Sequence, residues 1–224
     1  MSLPPQRSSR GDRIELVVVL LAAWAWPITS ELLELTSSGL ERRIHFSNET
    51  LLGLVLYELV VGGALLLFLR ARGKRVSVSQ LDASWLATGE GVLLWAVAMM
   101  ASWLGMALLA GTSRGQSVAF HGAPSPVIAI LLVLVNPVFE ECLHLGFLQE
   151  RLRASGPGFA IGASLMVRLL LHAYQGPLAV AAIVPMGVVL GLHHWHTRRL
   201  WPAIVAHAIA DALALATLRP AIES

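Results

Sequence analysis

Charge is scarce in this chain. Asp, Glu, Lys and Arg make up 13% of its 224 residues, about half of the roughly 25% found in ordinary soluble domains. Apolar residues reach 56% and the mean hydropathy is +0.69, a balance that excludes a conventional soluble globule. Cysteine is all but missing: Cys142 stands alone, so there is no internal disulfide framework. With no partner to activate it, Cys142 reads as a small apolar filler. Internal repeats, low-complexity tracts and long linkers are absent as well. A single membrane domain is expected.

What is present is a series of long apolar runs. Stretches near 14–33, 51–69, 88–110, 126–148, 159–175, 178–195 and 201–218 predict seven spans, several close to the roughly 20 residues that cross a bilayer as helix. The fifth to seventh are slightly short, as helices around a cavity would be. The fold class expected is therefore an all-α, polytopic transmembrane helical bundle of about seven spans with an intramembrane polar cavity. Residues 1–13 form a polar, basic tail, 14–218 the transmembrane domain and 219–224 a short C-terminal tail. The start resembles a signal peptide, with Ala23-x-Ala25 as a weak cleavage site. The run continues through Trp26, Pro27 and Ile28, so an uncleaved first helix is expected.

Basic residues orient the bundle. With seven spans and the N-terminus inside, eleven Lys and Arg fall on the cytoplasmic side, among them Arg70, Arg72, Arg151, Arg153, Arg198 and Arg199. Four fall outside: Arg42, Arg43, Arg114 and Arg219. That is a positive-inside bias. Asn48-Glu-Thr50 is a glycosylation sequon on the outer side, of a length that arises readily by chance. His193, His194 and His196 surround Trp195 at the cytoplasmic edge, where interfacial anchoring accounts for them.

The chemistry lies in polar residues set inside these apolar runs. From Val127 to Leu148 there is no lysine or arginine, yet Glu140 and Glu141 stand side by side. Ionisable groups in hydrocarbon cost several kcal/mol at roughly translocon-scale values, so they turn toward one another or toward water. Residues four apart share a helix face, which pairs Glu140 with His144, Arg168 with His172 and His207 with Asp211. Pro137 lies one turn before the acids, leaves the Val133 carbonyl without its usual donor and favours a local kink. One such pair reads as interhelical glue; three in consecutive spans favour a shared functional site. Glu58, beside Tyr57 in the second span, is a lone membrane acid without a motif.

The order of these pairs resembles the CAAX prenyl protease and bacteriocin-processing (CPBP, or Abi) family of intramembrane proteases. Its pattern is Glu-Glu-x-x-x-Arg, then Phe-x-x-x-His, then His-x-x-x-Asn or Asp. Here the three read Glu140-Glu141-Cys142-Leu143-His144-Leu145 followed by Gly146, Arg168-Leu-Leu-Leu-His172, and His207-Ala-Ile-Ala-Asp211. The resemblance covers roughly 127–218. Two positions depart from it: Leu145 stands at the family's arginine, and Arg168 at its phenylalanine. Arg168 is expected to replace the missing guanidinium from a neighbouring helix by pairing with Glu140, Glu141 or Asp211, with Glu141 the leading candidate.

The resemblance implies an intramembrane endopeptidase that hydrolyses a peptide bond with activated water. Glu140 would be the general base, His172 would hold the water, and His207 and Asp211 would orient the carbonyl and stabilise the oxyanion. Glu141 would order the site, with Arg168 and His144 in support. Which acid is the base stays open. No cofactor is expected. Zinc is the rival chemistry, because Glu, His and Asp are sensible ligands, although the chain contains no HExxH and no second Glu-x-x-His. The expected partners are the lipid bilayer and a peptide or protein substrate, with or without a lipid modification, and not nucleic acid. The expected location is a prokaryotic plasma membrane. A catalytically silent scaffold or a bacteriocin-immunity type peptide-binding protein is the alternative. The cavity is expected to open toward the cytoplasm. Measured from the cytoplasmic span ends, His207 lies about 10 Å deep, Glu140 about 12–15 Å and His172 about 20 Å. A common site therefore requires the fifth helix to tilt or to start deeper than Gly158.

Overall fold

The computed structural model describes residues 10–37, 43–73, 81–109, 117–120, 125–172, 177–217 and 219–220. They form seven helical rods. The first, α1, runs through Arg10–Leu20, a π-helical turn at Leu21–Ala25, and Trp26–Ser37. Then come α2 (Asn48–Ala71), α3 (Trp85–Leu109) and α4 (Pro126–Glu141, continued as a π-helix over Cys142–Gln149). A short 3-10 turn at Arg153–Ser155 leads to α5 (Pro157–His172), α6 (Pro177–Thr197) and α7 (Trp201–Thr217). The expected all-helical bundle of about seven rods is present.

The termini of these helices follow from local chemistry. Ser47, in extended conformation, accepts the Thr50 N–H on its hydroxyl at 3.2 Å and caps α2. Gly73, at φ +68, ends the same helix in the left-handed region. Pro126 and Pro157 open α4 and α5, where a missing N–H costs nothing. α1 begins at Arg10, earlier than the apolar run, because the polar turn before Ile14 continues the helix beyond the hydrocarbon. Ala23 and Trp24 are buried in its middle, so the Ala23-x-Ala25 site lies within a packed helix.

Three helices, Asn48–Ala71, Trp85–Ala107 and Pro126–Gln149, are long and apolar enough to cross a membrane. Large side chains such as Val60, Leu67, Met100 and Trp103 face outward, each about two-thirds exposed or more. That inverted surface belongs in lipid, and the chain is a membrane protein. α5 and α7 have 16 and 17 residues and are short as expected. α6, at 21 residues, is not.

The two ends of the bundle differ. At one end, buried Glu15 of α1 pairs with Arg151 and, at 3.2 Å, with Arg72. There too Glu150 meets His194 at 3.2 Å and Arg198 at 2.6 Å, and Glu90 holds His193 at 2.8 Å together with Arg199. His193 and His194 thus contact carboxylates of neighbouring helices. Burial alone would push the Glu150 carboxyl up. The His194 hydrogen bond and the charges of Arg198 and Arg153 outweigh it and hold Glu150 below its usual range. At the other end, β1 (Arg43–Phe46), β2 (Ser117–Phe120) and β3 (Arg219–Pro220) form a parallel sheet in the order β1-β2-β3. The sheet was not expected, since strands this short leave no periodic signal. It draws Arg219 and Pro220 out of the anticipated tail. β1, β2 and β3 follow α1, α3 and α7, so their pairing gathers the C-terminal ends of these three rods at one end. Asn48 of the sequon accepts the Ser125 N–H at 2.7 Å, so its side chain joins the starts of α2 and α4.

α4 occupies the centre. It packs on α2 and α7, and its π-helical part packs on α5 and α6, while α3 crosses α6 and α7. Glycines permit the close crossings. A Cβ on Gly91 would lie 2.6 Å from Val205 Cβ and 2.8 Å from the Pro202 carbonyl oxygen.

Candidate active site

α4 contributes the acids at the point where its backbone widens. Pro137 is buried inside the helix, and the π-helical segment begins at Cys142, directly after Glu141. Such wide turns recur at functional sites because they re-aim side chains. Here Glu140 and Glu141 turn toward α5 and α7, and His144 toward α1. The π-turn of α1 meets the π-helix of α4 where the Trp24 and His144 rings stack, centroids 4.9 Å apart and planes 23° apart.

Arg168 enters from α5. Its guanidinium donates to Glu141 Oε1 at 2.7 Å and to Glu140 Oε2 at 3.4 Å, and the residue is only 3% exposed. The expected pairing, strongest with Glu141, is what the structure contains. Gly187 of α6 makes room for it: a Cβ there would stand 2.8 Å from Leu165 Cδ1 and 3.6 Å from Arg168 Cδ. Leu145, at the position where the resemblance anticipates arginine, points elsewhere. It is buried among Leu190, Leu200, Ala203 and Ile204, an apolar cluster with no use for a charge. Gly146 beside it leaves space for Leu200, whose Cδ1 would be 3.0 Å from an added Cβ.

His207 of α7 lies between two acids, Nδ1 at 2.6 Å from Glu141 Oε1 and Nε2 at 3.5 Å from Asp211 Oδ1. His172 Nε2 lies 4.0 Å from Glu140 Oε1, and His144 Nε2 4.0 Å from Glu140 Oε2. Glu140, Glu141, His144, Arg168, His172, His207 and Asp211 therefore form one cluster. The cluster forms although α5 starts at Pro157, not deeper than Gly158. Trp201 Nε1 donates to Thr88 Oγ1 at 2.9 Å, one turn inside the start of α3.

The two carboxylates are held differently. Glu141 is fully buried and takes both short contacts on one oxygen. Glu140 is 8% exposed, and its hydrogen bonds, at 3.3 and 3.4 Å, are longer. Glu141 is thus anchored through Oε1, with its buried Oε2 carrying no hydrogen bond among the described residues, whereas Glu140 is the acid with residual exposure and the looser contacts. His172 and Asp211 are half-buried, and both lie on the sheet-end side of the cluster. An open apolar groove, lined by Ala129, Ile130, Val133 and Leu134 of α4 and by Ala212, Leu215 and Ala216 of α7, starts next to Asp211.

Two residues outside the expected set complete the network. Asn136 Nδ2 donates to Glu140 Oε1 at 3.3 Å and to Glu58 Oε1 of α2 at 2.6 Å. Asn136 could have been found by its spacing, four residues before Glu140. Glu58 offered only its unusual setting. Cys142 is half-buried and faces the apolar cluster around Leu145, in keeping with a filler role. Among the described residues no group of three or more His, Cys, Asp or Glu is arranged to hold a metal ion.

Residues 122–213 match the protein family described as type II CAAX prenyl endopeptidase, Rce1-like. The match spans less than half of the chain, yet it includes all seven clustered residues, and it bears out the motif resemblance. No curated protein and no solved structure matches the chain.

Proposed function

With residues 122–213 in the Rce1-like family, we propose that this protein is an intramembrane endopeptidase that hydrolyses a peptide bond of a membrane-associated substrate. The observation that carries the proposal is the asymmetry of the two adjacent acids. Glu141 spends its charge on Arg168 and His207, at 2.7 and 2.6 Å. Glu140, 8% exposed and held by longer bonds of 3.3 and 3.4 Å, is the acid that a water can reach.

In this reading a water lies between Glu140 and His172, whose Nε2 faces Glu140 Oε1. Glu140 accepts one proton of that water as its oxygen attacks the scissile carbonyl. The same proton passes to the leaving amine, and Glu140 returns to its starting state. His207 is held at Nδ1 by Glu141, and the long 3.5 Å contact of Nε2 with Asp211 leaves the Nε2 N–H able to be shared with the developing oxyanion. Arg168 keeps Glu141 charged and fixed, so His207 does not have to reorganise during reaction. The groove between α4 and α7 gives a membrane-bound chain, with or without an attached lipid, a lateral approach to Asp211. The positive-inside bias supports a cytoplasmic N-terminus, which puts the ion-pair end in the cytoplasm; the setting we propose is a prokaryotic plasma membrane.

The test uses the full chain in liposomes with a library of lipid-anchored, internally quenched peptides. Wild type should cleave members of the library, and Glu140→Gln should lower kcat by about 10²–10⁴-fold, the range of a general base. Cleavage should survive exhaustive chelation, since no step uses a metal. Loss on chelation with recovery on added zinc would recast Glu140, His172 and His207 as ligands. A wild type that binds peptides without cutting them would leave the scaffold reading in place.

A further inference from the structure

The buried stripe of α2 consists of Leu51, Val55, Glu58, Leu65 and Leu69. Four are aliphatic and one is an acid. Glu58 is 3% exposed and occupies a position where an aliphatic side chain would pack without the desolvation cost of a carboxylate. It lies outside the family-matched residues 122–213, and no motif includes it. Its carboxylate is 2.6 Å from Asn136 Nδ2, and that same nitrogen lies 3.3 Å from Glu140 Oε1. The helices are held close enough for this contact by Gly62, one turn beyond Glu58, where a Cβ would stand 3.2 Å from the Phe139 ring.

We infer that Glu58 is a positioning residue for Glu140, acting through the Asn136 amide. The inference rests on the proposal that Glu140 activates water. A primary amide is planar and carries two N–H donors on one side and a carbonyl oxygen on the other. With carboxylates on both sides of the nitrogen, only one orientation of the amide satisfies both. Each acid takes one hydrogen, and Oδ1 turns away. Glu58 decides that orientation. Without it, the amide is free to turn about its last torsion, which is broad for Asn, and to present its carbonyl to Glu140. Two oxygens would then repel, and Glu140 Oε1 would leave the place where it faces His172 Nε2. The N-terminal half of the chain thereby shapes a site whose reacting groups all lie in the C-terminal half.

The experiment compares Glu58→Leu, Glu58→Gln and Asn136→Leu with wild type in the liposome cleavage assay. Glu58→Leu should lower kcat about 10–10²-fold, the scale of an ångström-level misplacement, with KM within about twofold of wild type. Glu58→Gln keeps an acceptor oxygen for Asn136 and should retain most of kcat. In an Asn136→Leu background, Glu58→Leu should add no further loss, because both changes cut the same link. Wild-type kcat in Glu58→Leu, equal losses in the Leu and Gln variants, or additive losses with Asn136→Leu would each overturn the inference. If wild type cleaves no peptide, the proposed function fails on its own account. The positioning claim is then read from a crystal structure of Glu58→Leu in a lipid phase. An Asn136 amide still donating to Glu140 at the wild-type distance refutes it, and a turned amide supports it.

Discussion

Replacing Arg168 by leucine separates two opposite views of a cation in the middle of a span. In the structure Arg168 is 3% exposed and its guanidinium reaches Glu141 at 2.7 Å and Glu140 at 3.4 Å. Arg168→Leu would leave two buried carboxylates without their shared donor. Removing one partner of a buried pair costs about 3–5 kcal/mol, mostly from the charge left behind. For a chain of this size that corresponds to a fall in Tm on the order of 10 °C. Were Arg168 merely snorkelling from a lipid-facing position, the sign would invert. Leucine would then relieve a cost of about 2.5–3.5 kcal/mol, the translocon-scale value for a lone arginine at mid-span. The assay is thermal unfolding in detergent micelles, followed by near-UV circular dichroism, alongside cleavage in liposomes. Arg168→Lys should recover only part of the stability, since a point charge cannot reach both acids as a fork does. Combining Arg168→Leu with Glu141→Gln removes charge from both sides and should restore most of the stability while cleavage stays low. A variant Arg168→Leu as stable as wild type, or more stable, would refute the pairing and the substitution of Arg168 for the missing family arginine.

Two further outcomes follow from packing and charge elsewhere. Gly91→Ala places a methyl 2.6 Å from Val205 Cβ and 2.8 Å from the backbone oxygen of Pro202, so it should cost about 1–3 kcal/mol by overpacking. Gly89→Ala meets nothing within 4 Å and should gain up to about 1 kcal/mol from helix propensity; melting of the two variants side by side checks both signs. Glu150 titrates below its usual range in the folded state because His194, Arg198 and Arg153 outweigh its burial. A depressed acid contributes stability above its unfolded pKa of about 4.3 and loses it as pH falls through the folded value. The Tm difference between wild type and Glu150→Gln should therefore be largest near neutrality and shrink below about pH 4. A difference that does not change with pH would remove Glu150 from the ion-pair end as a stabilising charge.

Hydropathy is a property of contiguous windows, so the seven rods were legible in the sequence to within a few residues, as with 126–148 against Pro126–Gln149. The pairs within one helix were legible too. Positions four apart meet whatever surrounds them, which put Glu140 near His144 and His207 near Asp211. The ordered motifs then pointed to the family over roughly 127–218, and residues 122–213 match it. Contacts between helices were another matter. That Arg168 reaches Glu141, that His207 binds the same oxygen, and that Trp24 stacks on His144 all depend on crossing distances. Those distances are set by glycines such as Gly62 and Gly187 and by the π-helical widening of α4 after Glu141. Glu58 illustrates the limit. In the sequence it is a lone acid in an apolar run, and only the approach of α2 to α4 gives it Asn136 as a partner. The sheet of β1, β2 and β3 likewise came from tertiary structure. Strand pairing joins segments far apart in sequence, and no local pattern records it.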